Sequence, residues 1–240
     1  MMSVTDATTT TRIEEVGDRL YRIHTPVPGF SFNQYLVDDD EPLLFHTGGR
    51  ALFAAVREAI ARVLPLERLR WIGFSHVEAD ECGSLNELLK VAPNAAPLCS
   101  QIGAMVSVTD LADRPPRALK DGEELTTGRR RFVWVDAPHV PHAWENGYLF
   151  ESTTKTLFCG DLFTQPGADH PPLTRDDILG SSEAMRKTLD YYAHAPSTRA
   201  VLERLAAMDP RVLACMHGSA FEGACSRMLL DLAAALERTP

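Results

Sequence analysis

The 240-residue sequence has no CxxC pair; its five cysteines, Cys82, Cys99, Cys159, Cys215 and Cys225, are scattered and odd in number. That argues against a disulfide framework and against a zinc site built on thiolates. Basic character is also scarce: 24 Lys and Arg face 33 Asp and Glu, for a formal net charge of -9, and the one basic run is "GRRR" at 128–131. Nucleic acid and anionic membrane both need a basic footprint, so neither is expected as a partner. No apolar run approaches the length of a membrane span, and the polar start "MMSVTDATTTTR" lacks the charged region and apolar core of a secretory signal. These absences point to a reduced, cytoplasmic protein.

What is present suits a globular domain: 45% hydrophobic and 24% charged residues. Strand-like alternation runs through "RLYRIHT", "FNQYLVDD" and "LLFHTGG", and then Phe53, Val56, Ile60 and Val63 take up helical spacing until Pro65. Further strands are expected at "RWIGFS", "APLCS", "RFVWVDA", "NGYLFES", "KTLFCGD" and "RVLACMH", and helices at 182–194, 198–207 and 221–237. Residues 101–130 read as turns and short edges, with a hairpin at Asp121-Gly122. The pattern predicts a polar tail over 1–12 and one α+β domain over 13–240, a layered sheet sandwich with helices outside.

Chemistry concentrates where apolar strands give way to loops. His76, Glu78 and Asp80 stand at alternate positions behind "RWIGFS", and in an extended segment their side chains would converge on one spot. Such a group either holds a cation or is a solvated loop before a helix, with Asp80 or Glu81 complementing the helix N-terminus. His142, Asp161 and His217 close three other strand-to-loop transitions.

The order H-x-E-x-D at His76, Glu78 and Asp80, then His142, Asp161 after eighteen intervening residues, and His217, resembles the di-iron centre of flavodiiron proteins and the related oxygen-binding di-iron proteins. Both belong to the metallo-β-lactamase superfamily. The stretches "NQYLV" at 33–37, "GDLF" at 160–163, "YYA" at 191–193 and "HG" at 217–218 add to the likeness, which runs from about residue 15 to the end. The resemblance implies an αββα sandwich with metals at one edge of the paired sheets. It assigns His76, Glu78 and His142 to one metal and Asp80 and His217 to the other, with Asp161 between them.

The family pattern has a histidine directly after the aspartate, where this chain has Glu81, so Glu81 either binds the second metal or leaves it an open position. On the first alternative, Glu81→Ala should affect mainly the second metal. His46 stands where the superfamily usually has the aspartate of an Asp-Thr-Gly turn; it either supports the ligands or is a core histidine. His139 competes with His142 for the ligand role, but the eighteen-residue interval favours His142 and leaves His139 near the site or on the surface. Carboxylates in place of two imidazoles suit iron or manganese better than zinc; two iron ions are expected, with zinc or manganese as the alternatives.

The implied function is binding or reduction of O2, or of nitric oxide, at the di-iron site. Electrons would come from a separate electron-transfer protein, or the protein would act as an oxygen sensor. The attached flavin (FMN) domain of flavodiiron proteins does not appear in these 240 residues. A homodimer is a further expectation. The competing class is a binuclear hydrolase of esters, thioesters or lactones.

Overall fold

The computed structural model describes residues 10–238. Most of the expected tail lies outside them; Thr11 is buried and the first strand opens at Arg12. In the first half, β1 (Arg12–Gly17), β2 (Leu20–Val27), β3 (Phe30–Val37) and β4 (Leu43–Phe45) make an antiparallel meander. Three strands then extend it in parallel: β5 (Trp71–Gly73), β6 (Ala96–Ser100) and β7 (Arg117–Leu119). The second sheet takes β8 (Glu124–Thr126), β9 (Arg131–Asp136), β10 (Gly147–Glu151), β11 (Thr156–Phe158), β12 (Leu173–Thr174), β13 (Val212–Ala214) and β14 (Ala220–Glu222). Their spatial order is β12-β14-β13-β11-β10-β9-β8.

These strands are apolar on both faces because both faces are covered. Tyr35, Val37, Phe45 and Leu98 from one sheet meet Phe132, Trp134, Leu149 and Phe158 from the other in a shared central layer. Their neighbours in sequence turn outward, as the period of two requires: Leu36 and Leu44 on one side, Tyr148, Phe150 and Leu157 on the other.

Helices cover those outer faces. Beside the first sheet lie α1 (Phe53–Ala61), α2 (Ala79–Cys82) and α3 (Leu85–Val91), followed by α4 (Gln101–Gly103), a π-helical turn at Ala104–Val108 and α5 (Thr109–Leu111). On the second sheet lie α6 (Leu179–Leu189), α7 (Thr198–Ala207) and α8 (Cys225–Arg238). Leu229, Leu232 and Leu236 bury one stripe of α8, each contributing about 1.5–3 kcal/mol. The result is the expected α+β sandwich of four layers, αββα. Among the described residues no helix is long and apolar enough to cross a membrane.

Three local expectations are corrected. Asp121-Gly122 makes a turn but no hairpin: β7 and β8 belong to different sheets, so this turn carries the chain from one sheet to the other. Residues 101–111 are helical, since Ala104 and Val108 find cover in the first sheet's outer core. The helix expected over 182–194 runs over 179–189, ending where Asp190 adopts a left-handed conformation, which places Tyr191 in a loop.

The parallel strands deliver the site. β4, β5, β11 and β13 run in one direction, and His46, His76, Asp161 and His217 follow their C-terminal ends on one edge of the sandwich. Strand β10 runs against β11, so the loop that precedes it brings His142 to the same edge.

Candidate metal centre

Strand β5 stops at Gly73, and the chain bends through His76 before α2 begins at Ala79, with Glu78 extended at its N-terminus. The three motif residues therefore do not lie along one extended segment. His76 and Glu78 share one spot, while the turn into the helix carries Asp80 to the neighbouring one. At the end of β11, Gly160 has φ +47, and a Cβ there would fall 2.6 Å from Ser75 Oγ; glycine alone fits the turn that presents Asp161.

One group is tightly assembled. Ligand atoms of His76, Glu78, His142 and Asp161 all lie within 4.8 Å of one another. Glu78 Oε2 is 2.9 Å from His76 Nε2 and 3.1 Å from His142 Nε2, and the two imidazole nitrogens are 3.0 Å apart. Asp161 Oδ2 stands 3.4 Å from His142 Nε2 and 3.6 Å from His76 Nε2. Its other oxygen, Oδ1, lies 3.2 Å from His217 Nε2, which is in turn 3.6 Å from Asp80 Oδ2. The Glu78 side chain is 50% exposed, so this edge opens to solvent.

Each imidazole is fixed from behind through Nδ1, leaving Nε2 for the centre. His142 Nδ1 is 3.0 Å from the Tyr191 carbonyl oxygen and His217 Nδ1 is 2.9 Å from that of Ser31. His76 Nδ1 faces Asn146 Oδ1 at 3.1 Å, and Asn146 Nδ2 donates to the Val140 carbonyl on the His142 loop. Such outer contacts select the tautomer and orientation of a metal-binding histidine.

The electrostatics call for cations. Burial would push the His76 imidazole down, but Glu81, Glu78 and Asp161 outweigh it and hold it at about 10. Burial would likewise raise Asp161, yet the hydrogen bond from His217 and the charges of the histidines bring it to about 2. Hydrogen bonds with His142 and His76 lower Glu78, whereas burial and the nearby Asp161 push Asp80 up to about 6. Without metal, protons on the imidazoles neutralise the acids; a metal ion would displace them. Two imidazoles and two carboxylates, oriented and open on one side, fit such an ion.

The remaining candidates divide. Glu81 is fully buried, and its carboxylate faces His46 and the far side of His76. Its oxygens lie 3.2 Å from His46 Nε2 and 3.5 Å from His76 Nδ1. His46 is buried against Glu81 at 3.2 Å and against Ser75 Oγ. His139 is exposed and stands outside the assembled group.

Three contributors escaped the sequence reading. Asn146 sits in a Glu-Asn-Gly run that signals only a turn, and the Tyr191 contact uses a backbone carbonyl that any residue supplies. Asn33 lay inside the quoted "NQYLV"; its Nδ2 donates to the carbonyls of Cys215 and Gly218 and so holds the His217 loop.

Known proteins are similar to this chain in sequence and in fold. The chain is 28% identical over 207 residues to the rubredoxin-oxygen oxidoreductase of Megalodesulfovibrio gigas, covering 82% of this chain and 50% of that protein. It is 25% identical over 170 residues to the anaerobic nitric oxide reductase flavorubredoxin of Vibrio vulnificus, covering 69% and 34%. The chain thus spans half or less of these curated relatives. In fold it is similar to the solved flavodiiron protein from Giardia intestinalis, with a TM-score of 0.82, 17% identity and coverage of 95% of this chain and 59% of that one. The solved rubredoxin oxygen:oxidoreductase from Desulfovibrio gigas gives 0.80 at 23% identity, covering 93% and 62%. The family model described as ODP family beta lactamase matches residues 30–218, and the chain belongs to that family.

Proposed function

We propose that the chain holds two iron ions at this edge and binds O2 or nitric oxide there, reducing it with electrons from a separate electron-transfer protein. The observation that carries the reading is Asp161: one carboxylate oxygen faces His76 and His142 while the other faces His217. A carboxylate so placed suits a bridge between two cations. His76, Glu78 and His142 would complete one side, and Asp80 and His217 the other. When bound, a ferrous pair supplies electrons and coordination positions for a diatomic ligand.

The chain's own residues favour this over hydrolysis. Glu78, Asp80 and Asp161 bring three negative charges against three imidazoles, a hard, anionic donor set suited to iron and to its oxidised state. The half-exposed Glu78 leaves an approach from solvent for a small ligand and for an electron donor. Relatives named as a rubredoxin-oxygen oxidoreductase and an anaerobic nitric oxide reductase support the same choice.

The test is metal content of protein purified without added metal, with absorption spectra before and after anaerobic reduction and O2 exposure. About two irons per chain, with a visible band that bleaches on reduction and returns with O2, is the expected result. Two zincs with a silent spectrum would refute it.

A further inference from the structure

Glu81 and its neighbours form a buried device that the centre described so far leaves unused. Both Glu81 and His46 are fully inaccessible, and their side chains lie 3.2 Å apart through Glu81 Oε2 and His46 Nε2. The same Oε2 accepts a hydrogen bond from the Ser75 backbone N–H at 2.8 Å. Backbone bonds tie the pieces together: His46 N–H donates to the Gly73 carbonyl and Thr47 N–H to that of Glu81. The second oxygen, Oε1, is buried without a hydrogen bond and points at His76 Nδ1 from 3.5 Å. That nitrogen is on the far side of the ring from Glu78, His142 and Asp161, which gather at Nε2. Asn146 already gives His76 a neutral acceptor; what Glu81 adds there is charge.

A buried carboxylate is costly unless paired, and His46 with Ser75 anchors this one where it stands. The sequence places an acid at 81 and an imidazole at 46. The couple keeps one of each while turning its carboxylate toward His76.

We infer that Glu81, locked by His46, is a positioning residue for His76 and not a ligand of the second metal. The second metal is then left with Asp80, Asp161 and His217 from the protein. This inference rests on the metal-centre reading, and its test separates the two.

Metal-free protein is titrated with cobalt(II), following visible absorption for the metal and circular dichroism for the fold. The Asp80→Asn background isolates the His76 site. Wild type should take up two cobalt ions. Glu81→Gln, which retains acceptors for Ser75 and His46 but removes the charge, should weaken the His76 site ten- to a hundredfold and shift its absorption band. The other site should stay near wild type. The exchanged pair His46→Glu with Glu81→His keeps one acid and one imidazole buried, and should fold yet show the same weakened His76 site; it decides the matter if Glu81→Gln does not fold. Loss confined to the second site, or unchanged binding at both sites, would overturn the inference. No cobalt uptake by wild type would overturn the metal-centre reading itself, and this inference with it.

Discussion

Asp161→Ala is the perturbation that most directly probes a shared centre. Its two oxygens stand 3.2 Å from His217 Nε2 and 3.4 and 3.6 Å from the nitrogens of His142 and His76, so a single side chain serves both sides. A unit charge about 4 Å from another is worth about 4 kcal/mol at an effective dielectric of about 20, and water entering the vacated space returns part of that. About 3 kcal/mol lost per metal corresponds to roughly a hundredfold weaker binding at each site. Asp80→Ala supplies the contrast, because Asp80 touches only the His217 side, at 3.6 Å. Isothermal titration of the metal-free variants with ferrous ion under anaerobic conditions should show both sites weakened in Asp161→Ala, and one weakened in Asp80→Ala with the other near wild type. Loss of a single site in Asp161→Ala, or of both in Asp80→Ala, would refute the bridging assignment.

Two further outcomes follow from the same contacts. Asn33→Ala leaves the buried Gly218 carbonyl without its side-chain donor, while the Cys215 carbonyl keeps the Tyr35 hydroxyl, so it should destabilise the protein by about 1–3 kcal/mol, read from denaturant unfolding, and weaken the metal side that contains His217. The pH dependence has opposite signs with and without metal. His76 holds its proton more tightly when folded, up to about pH 10, so its contribution to the metal-free protein is complete below about 6.5 and fades as pH rises toward 10. A metal ion must displace that proton, so affinity should rise with pH over the same window and metal uptake at pH 7 should release protons, measured in weakly buffered solution with an indicator dye. Affinity independent of pH between 6.5 and 9 would contradict this.

The layers were legible because apolar residues occupy consecutive strand positions. Tyr35 and Val37 face inward around the outward Leu36, and Phe45 and Leu43 do the same around Leu44, so the strands announce a sheet covered on both faces. The boundaries that failed were set by tertiary contacts rather than by local period. Nothing in "DYYAHA" stops a helix at Leu189; the stop is Asp190 in a left-handed conformation, which frees the Tyr191 carbonyl to face His142. Likewise Asp121-Gly122 carries a turn signal, but no local feature tells whether the strands it joins lie in one sheet or two.

The candidate site was legible as a set of residues and not as an arrangement. Spacing brought out His76, Glu78, Asp80, His142, Asp161 and His217, because ligand-type residues recur where apolar strands end. What spacing could not supply is the rotation of the chain between Glu78 and Asp80. Read as extended, the motif sends three side chains to one point; with α2 starting at Ala79 it sends His76 and Glu78 to the spot beside His142 and Asp80 to the one beside His217. The same rotation decides Glu81. One residue further along the helix, its carboxylate is carried inward under the strand ends, where His46 and the Ser75 N–H receive it. The acid next to Asp80 in sequence therefore lies behind His76 in space, and on the proposed reading a motif that looks like four adjacent donors becomes three donors and a support.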